Sequence, residues 1–210
     1  MRVSDFSEIQ REIRRCTRCV DAGFIHDAHP ILHGSPAARS MILGQAPGPT
    51  AAERPLPYSG ASGKTLQAWL TRAGFDAGAL YDAERFYLTS TTKCFPGRSP
   101  SGKGDRAPSR GEVELCRSHL DLELEWVRPE LILPLGRLAI GTMLSSFRRA
   151  ALASIVGNAY PAEYPAAGSA LVLPLPHPSG VSHWHNDPAN QTRLDHALEW
   201  LDRTRRERDL

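Results

Sequence analysis

At 210 residues, with 41% hydrophobic and 23% charged residues, the chain suits one well-buried domain over residues 1–210 and is short for two. No run approaches the roughly 18 apolar residues of a membrane span, and the N-terminal MRVSDFSEIQREIRR is too charged for a secretory signal, so a cytoplasmic protein is expected. The net charge of +2 does not by itself identify a nucleic-acid partner, but lysine occurs only at Lys64, Lys93 and Lys103, and the arginines that carry the rest suit bidentate phosphate contacts.

In chain order, Ser7 to Arg15 is predicted helical, with Ile9 and Ile13 one turn apart on the same face. A Gly/His/Pro-rich connection leads to Ser40-Met41-Ile42-Leu43, a short buried strand that runs into the Gly/Pro turn Gly44-Gln45-Ala46-Pro47-Gly48. Ser62 is placed to cap a helix through Ala73, with Leu66, Trp69 and Leu70 on its inner face. Phe86-Tyr87-Leu88-Thr89 is a second strand. Residues 95–108, FPGRSPSGKGDRAP, have turn composition throughout and form a long exposed loop. Ser109 to Val127 is a helix whose Ser109 and Glu112 fit a capping box. A third strand, Leu131-Ile132-Leu133, precedes a helix from Arg137 to Leu144. A fourth, Leu171-Val172-Leu173, ends in Pro174-Leu175-Pro176-His177-Pro178-Ser179, and Pro188 to Arg203 closes the chain as a helix.

Short apolar strands alternating with helices imply a parallel sheet covered on both faces, hence a three-layer α/β/α sandwich with a central parallel four-stranded sheet. Ligands in such sheets sit beyond the carboxyl ends of the strands. Those ends are Gly44-Gln45, Ser90-Thr91, Leu135-Gly136 and Pro176-His177.

Four cysteines punctuate these elements. Cys16-x-x-Cys19 ends the first helix, Cys94 follows the second strand, and Cys116 lies inside the capped helix. Disulfides are rare in cytosolic chains. Four thiolates suit tetrahedral zinc or an iron–sulfur cluster, although a zinc ribbon would show a second closely spaced pair. The alternative is a redox pair with two buried thiols. His26, His29 and His33 precede the first strand at spacings that fit no standard zinc pattern. YSGASGKT (58–65) looks like a phosphate-binding loop, but Tyr58 replaces its first glycine and no strand directly precedes it. Lys64 at that helix start suits a DNA phosphate better than a nucleotide.

Five segments in order resemble the uracil-DNA glycosylase superfamily, most closely its iron–sulfur branch, families 4 and 5. They are CTRC (16–19), ILGQAPG (42–48), LPYSGASGKTLQAWL (56–70), YLTSTTKCFP (87–96) joined through APSRGEVELC (107–116), and LPLPHPSG (173–180). The resemblance implies a structural 4Fe–4S cluster on Cys16, Cys19, Cys94 and Cys116 that orders loops near the DNA. It also implies a monomeric DNA glycosylase that hydrolyses the N-glycosidic bond of uracil, or of a related deaminated base such as hypoxanthine or xanthine, in base-excision repair.

Such an enzyme flips the base out of the duplex and aims a hydrogen-bond donor at the negative charge that builds on the departing base. His177, held between Pro176 and Pro178, matches that donor. Tyr58 matches the aromatic that stacks on the flipped base, Ser90 lies at the base edge, and Gly44 and Ala46 flank it. Val181 falls where relatives place an intercalating leucine, beside His183 and Trp184. Ser179, Lys64, Arg98, Lys103 and Arg106 are expected on the DNA backbone.

The chain departs from the pattern in three places. Family 4 usually carries Glu where this chain has Gln45, and the Asp that follows Gln in family 1 is Ala46 here. Gln45 is expected to bond the base or the catalytic water, and Glu53 is the nearest acid able to replace the missing carboxylate. Ser90 stands where relatives commonly place Asn. A hydroxyl cannot span the two edge groups that an amide reads at once, so discrimination between bases should be weaker. The 95–108 loop has Arg98, Lys103 and Arg106 but no histidine, unlike a sister group that becomes covalently trapped, so ordinary product release is expected. Loss of both turn carboxylates also admits another reading, a weakly or non-catalytic protein that binds damaged or abasic DNA.

Overall fold

A computed structural model describes residues 5–51, 53–102, 104–165, 167–180 and 183–210, with the backbone alone at 51 and 183. The elements are α1 (Phe6–Arg14), α2 (Arg18–Asp21), β1 (Ser40–Gly44), α3 (Ala61–Arg72), β2 (Phe86–Ser90), α4 (Arg110–Val127), β3 (Leu131–Pro134), α5 (Gly136–Met143), α6 (Leu152–Ile155), β4 (Tyr160–Tyr164), β5 (Gly168–Val172) and α7 (Pro188–Arg208). Every residue of β1, β2 and β3 is buried, as parallel strands covered on both faces require.

β1 lies between β2 and β3, with Ile42 opposite Leu88 on one side and Leu133 on the other. β5 extends the sheet in parallel beyond β3. Side chains alternate across the sheet. Ile42, Leu88 and Leu133 pack with Leu66 and Leu70 of α3 and Leu198 and Leu201 of α7. Met41, Leu43, Tyr87 and Ile132 pack on the opposite face with Ile9 and Ile13 of α1, Leu120 and Leu124 of α4, and Ala139 of α5. The three expected layers are therefore present.

The sheet has five strands, in the order β2-β1-β3-β5-β4, and the outermost is antiparallel. The four expected parallel strands match β1, β2, β3 and β5. β4 escapes a reading based on apolar runs because it alternates between half-buried and exposed positions. It also contains Pro161, a residue that a sheet accepts at its edge.

Ser109 and Glu112 form the expected capping box on α4. Ser62 does not cap α3, because that helix starts two residues earlier than such a cap would place it, with Gly60 at the cap and no side-chain bond. α7 continues five residues beyond Arg203. Its polar tail has no apolar period, but Arg39 donates to the carbonyls of Arg208 and Asp209 at 2.8 and 2.9 Å and satisfies its end.

Candidate active site and cysteine hollow

From β1 the chain passes to β2 on one side and later reaches β3 on the other. The carboxyl end of β1 is thus a switch point, where open α/β sheets form a crevice. Gly44 and the half-buried Gln45 and Ala46 occupy it. The Gly44 carbonyl accepts from the Thr91 N–H at 2.9 Å and from Thr91 Oγ1 at 3.1 Å. The turn is therefore pinned to the end of β2.

Tyr58 folds back onto this turn. A Cβ on Gly44 would stand 2.6 Å from Tyr58 Oη and 3.4 Å from Ser90 Oγ, so glycine leaves room for two hydroxyls to approach the strand end. Tyr58 Oη is buried without a partner, and that burial pushes its pKa up. The residue has φ 58, an uncommon conformation for a bulky side chain. Its backbone is held by Tyr81 Oη, which donates to the Tyr58 carbonyl at 2.8 Å. A Cβ on Gly63 would lie 1.7 Å from that carbonyl oxygen, so only glycine lets α3 begin against it.

His177 follows β5, after a bridge between Leu135 and Leu175. Gly136, at φ +81, leaves space beneath it, since a Cβ there would be 3.2 Å from His177 Cβ. The Ser179 backbone N–H donates to His177 Nδ1 at 3.2 Å, and Ser179 Oγ lies 2.8 Å from the same nitrogen. With Nδ1 accepting, the neutral ring carries its proton on Nε2. Burial, with the charge of His185, lowers the His177 pKa. His185 itself reaches the His177 carbonyl at 3.2 Å. The strand ends bearing Ser90 and His177 are three spacings apart across the sheet, about 14 Å.

The remaining expected residues stand as follows. Glu53 is exposed beyond the turn, and Lys64 is exposed on the first turn of α3. Arg98 pairs with Asp105 at 3.1 Å. Arg106 forms a two-armed pair with Glu112, at 2.6 and 2.8 Å, and also donates to the Phe24 carbonyl. A phosphate would have to compete with these carboxylates. Lys103 and Val181 lie outside the described residues, and His183 is described by its backbone alone. Of the three loop histidines, His33 Nε2 contacts the Tyr81 carbonyl at 3.0 Å, while the backbone of His29 bonds Cys94.

Behind Ser90 lies a buried polar network. Lys93 Nζ donates to the Ser90 carbonyl at 2.6 Å and to Thr89 Oγ1 at 2.8 Å, and pairs with Glu123 at 2.7 Å. Tyr87 Oη and Thr89 Oγ1 both donate to Glu123, at 3.1 and 3.0 Å. The backbone N–H of Lys93 donates to Cys116 Sγ at 3.3 Å. One residue thus touches both the wall of the crevice and a cysteine.

All four cysteines are free and line one hollow with Lys93 and His119. Burial raises the thiol pKa of Cys94 to about 12 and of Cys19 to about 11, and raises Cys116 as well; neighbouring thiolates add to each shift. Four thiolates assemble there only around a positive centre. Among the described residues no three ligating side chains close on one point tightly enough for a metal ion. His119, 1% exposed, has both ring nitrogens without a partner, and burial lowers its pKa to about 4.

Sequence reasoning missed Gly63, Gly136, Lys93, Glu123 and His119. A helical signal for two of them existed, because Cys116, His119, Leu120, Glu123 and Leu124 fall on one face at i, i+3 and i+4 spacing.

The profile of the uracil DNA glycosylase superfamily matches residues 32–202. A type-4 uracil-DNA glycosylase of Pyrobaculum aerophilum is 28% identical over 158 residues, covering 74% of each chain. That of Sulfurisphaera tokodaii is 25% identical over 85% of this chain and 76% of its own. That of Archaeoglobus fulgidus is 30% identical over 69% of this chain and 66% of its own.

Proposed function

Because the chain belongs to the uracil-DNA glycosylase superfamily, we propose that it is a monofunctional DNA N-glycosylase that hydrolyses uracil from DNA in base-excision repair. The observation that carries this reading is His177 at a strand end, with Ser179 holding Nδ1 as acceptor and Nε2 left as donor.

A flipped base enters at the switch point. The Tyr58 ring stacks on it, a contact worth about 1–3 kcal/mol. Gly44, Ala46 and the Ser90 hydroxyl meet its edge. As the bond from C1′ to the base nitrogen breaks, its electron pair passes to the base, and His177 Nε2–H donates to the oxygen where charge collects. The sugar cation takes the oxygen of a water that Gln45 orients, and the water's proton leaves to solvent. An oxocarbenium-like sugar reacts with poorly activated water, so a turn without a carboxylate suffices for hydrolysis; Glu53 is the acid nearest that turn in sequence. Lys64, Ser179 and the 183 backbone lie where DNA would approach, with Val181 the proposed wedge.

The cysteines fit a 4Fe–4S cluster. Supporting this are four thiols around one hollow, two backbone N–H donors on their sulfurs, and the orphaned His119 ring. Cys16, Cys19, Cys94 and Cys116 would hold it. When bound, the cluster cross-links α2, α4 and the loop after β2. The purified protein is expected to be brown and to lose its colour with acid-labile iron and sulfide; colourless protein with stoichiometric zinc would contradict the cluster.

Among the described residues no helix is long and apolar enough to cross a membrane, and a cytoplasmic monomer acting on DNA is the setting proposed. The test is a panel of duplexes carrying single uracil, hypoxanthine or xanthine, treated with protein and then alkali. Uracil should be excised, and the preference over the other bases should fall well short of the roughly 10⁴-fold that an exact hydrogen-bond readout supports. Intact strands throughout, with tight binding to abasic DNA, would favour the damage-binding alternative.

A further inference from the structure

Residues 131–162 carry Arg137, Arg148 and Arg149 but no Asp, Glu or Lys. The fold gathers these arginines along α5. Arg137 follows Gly136, the glycine beneath His177, and its guanidinium donates to the Ala150 carbonyl at 3.0 Å. The chain after α5 folds back over the helix. There a Cβ on Gly141 would stand 3.2 Å from both Cα and Cγ of Arg148. All three arginines are exposed, and none has a carboxylate partner among the described residues. Five arginines elsewhere, by contrast, face carboxylates: Arg39 with Glu130, Arg72 with Asp195, Arg98 with Asp105, Arg106 with Glu112 and Arg117 with Asp121.

We infer that Arg137, Arg148 and Arg149 form the phosphate-binding flank of the DNA track beside the His177 crevice. Guanidinium groups bind phosphate oxygens bidentately. A flank without acids raises the local positive potential although the net charge of the chain is only +2. The start of α5 adds the positive end of a helix next to Arg137. The bond to Ala150 brings the Arg137 guanidinium to the backbone that follows Arg149. This inference rests on the reading of the protein as a DNA glycosylase, and it moves the main backbone contacts from the 95–108 loop to the far side of the crevice.

The test is the salt dependence of binding to a duplex with a tetrahydrofuran abasic-site analogue, compared for wild type, Arg148→Ala/Arg149→Ala and Arg98→Ala. Each phosphate contact contributes about 0.9 to the slope of log affinity against log salt. The double variant should therefore lose about 2 from the slope with unchanged thermal unfolding. Arg98→Ala, already paired with Asp105, should keep the wild-type slope. A steep wild-type slope that the double variant shares would overturn the flank and leave the glycosylase reading standing. The flank is equally overturned if only Arg98→Ala lowers the slope. Wild-type protein that neither binds this duplex nor excises any base would instead remove the glycosylase reading itself.

Discussion

Replacing His177 with alanine is expected to slow uracil excision about 10²–10³-fold, the loss measured elsewhere when one donor to a developing oxyanion is removed. The fall should lie in the rate at saturating DNA with little change in KM, because the donor acts where charge develops rather than in the bound ground state. Ser179 N–H on Nδ1 fixes the ring and leaves Nε2 as the donor.

Burial and His185 hold the His177 pKa below its ordinary value, about 6.5 for free histidine. The sign follows directly. Excision should stay level as pH falls through that ordinary value and decline only below it, when protonation sets Nδ1–H against Ser179 N–H. Unfolded chains bind this proton more readily than the native one, so the ring's contribution to stability is complete above the ordinary value. It is lost as pH drops towards the native one. Single-turnover excision by wild type and His177→Ala across pH measures the rate effects. An unchanged rate in the alanine variant would remove His177 from the chemistry.

The largest loss of stability is expected from Glu123→Ala. Lys93 and Glu123 have side chains 1% and 0% exposed, and removing one partner of a buried pair strands the other charge at about 3–5 kcal/mol. For a chain of this size that lowers the melting temperature by roughly 6–20 °C. The paired variant Lys93→Met/Glu123→Leu should recover part of the loss, because it avoids the stranded ammonium while leaving Tyr87, Thr89 and the Ser90 carbonyl without their partners. Since Lys93 also grips the Ser90 carbonyl and bonds Cys116, Glu123→Ala should loosen both the crevice wall and the cysteine hollow. Thermal unfolding of wild type and the two variants decides the matter, and wild-type melting by Glu123→Ala would contradict the account of this network.

How much was legible in the sequence depended on whether a residue's partner was local. Ser40–Leu43, Phe86–Thr89 and Leu131–Leu133 announce buried strands by short, mostly apolar runs, and Ser109 with Glu112 announces a helix start by a spacing contained within it. The HPS segment could be read because its prolines restrict the chain around His177. β4 could not, since an edge strand with Pro161 lacks both the apolar run and the full ladder of donors. Gly63 and Gly136 were equally silent. What demands glycine there is the carbonyl of Tyr58 in one case and the His177 side chain in the other, neither of them a local neighbour in the same element. Arg98 and Arg106 read in the sequence as DNA-backbone contacts, and only the fold sets Asp105 and Glu112 against them. The lack of acids over 131–162 was visible in the sequence, but only the return of the chain over α5 turns it into a surface.

The central claim is that this crevice, without a carboxylate in its Gly44–Gly48 turn, still hydrolyses the bond between uracil and deoxyribose. It is tested by incubating the folded protein with a duplex holding one uracil and detecting free base and strand integrity separately. Free uracil should be released, and the strand should stay whole until alkali breaks it at the former uracil. Retained uracil and an alkali-resistant strand would contradict it.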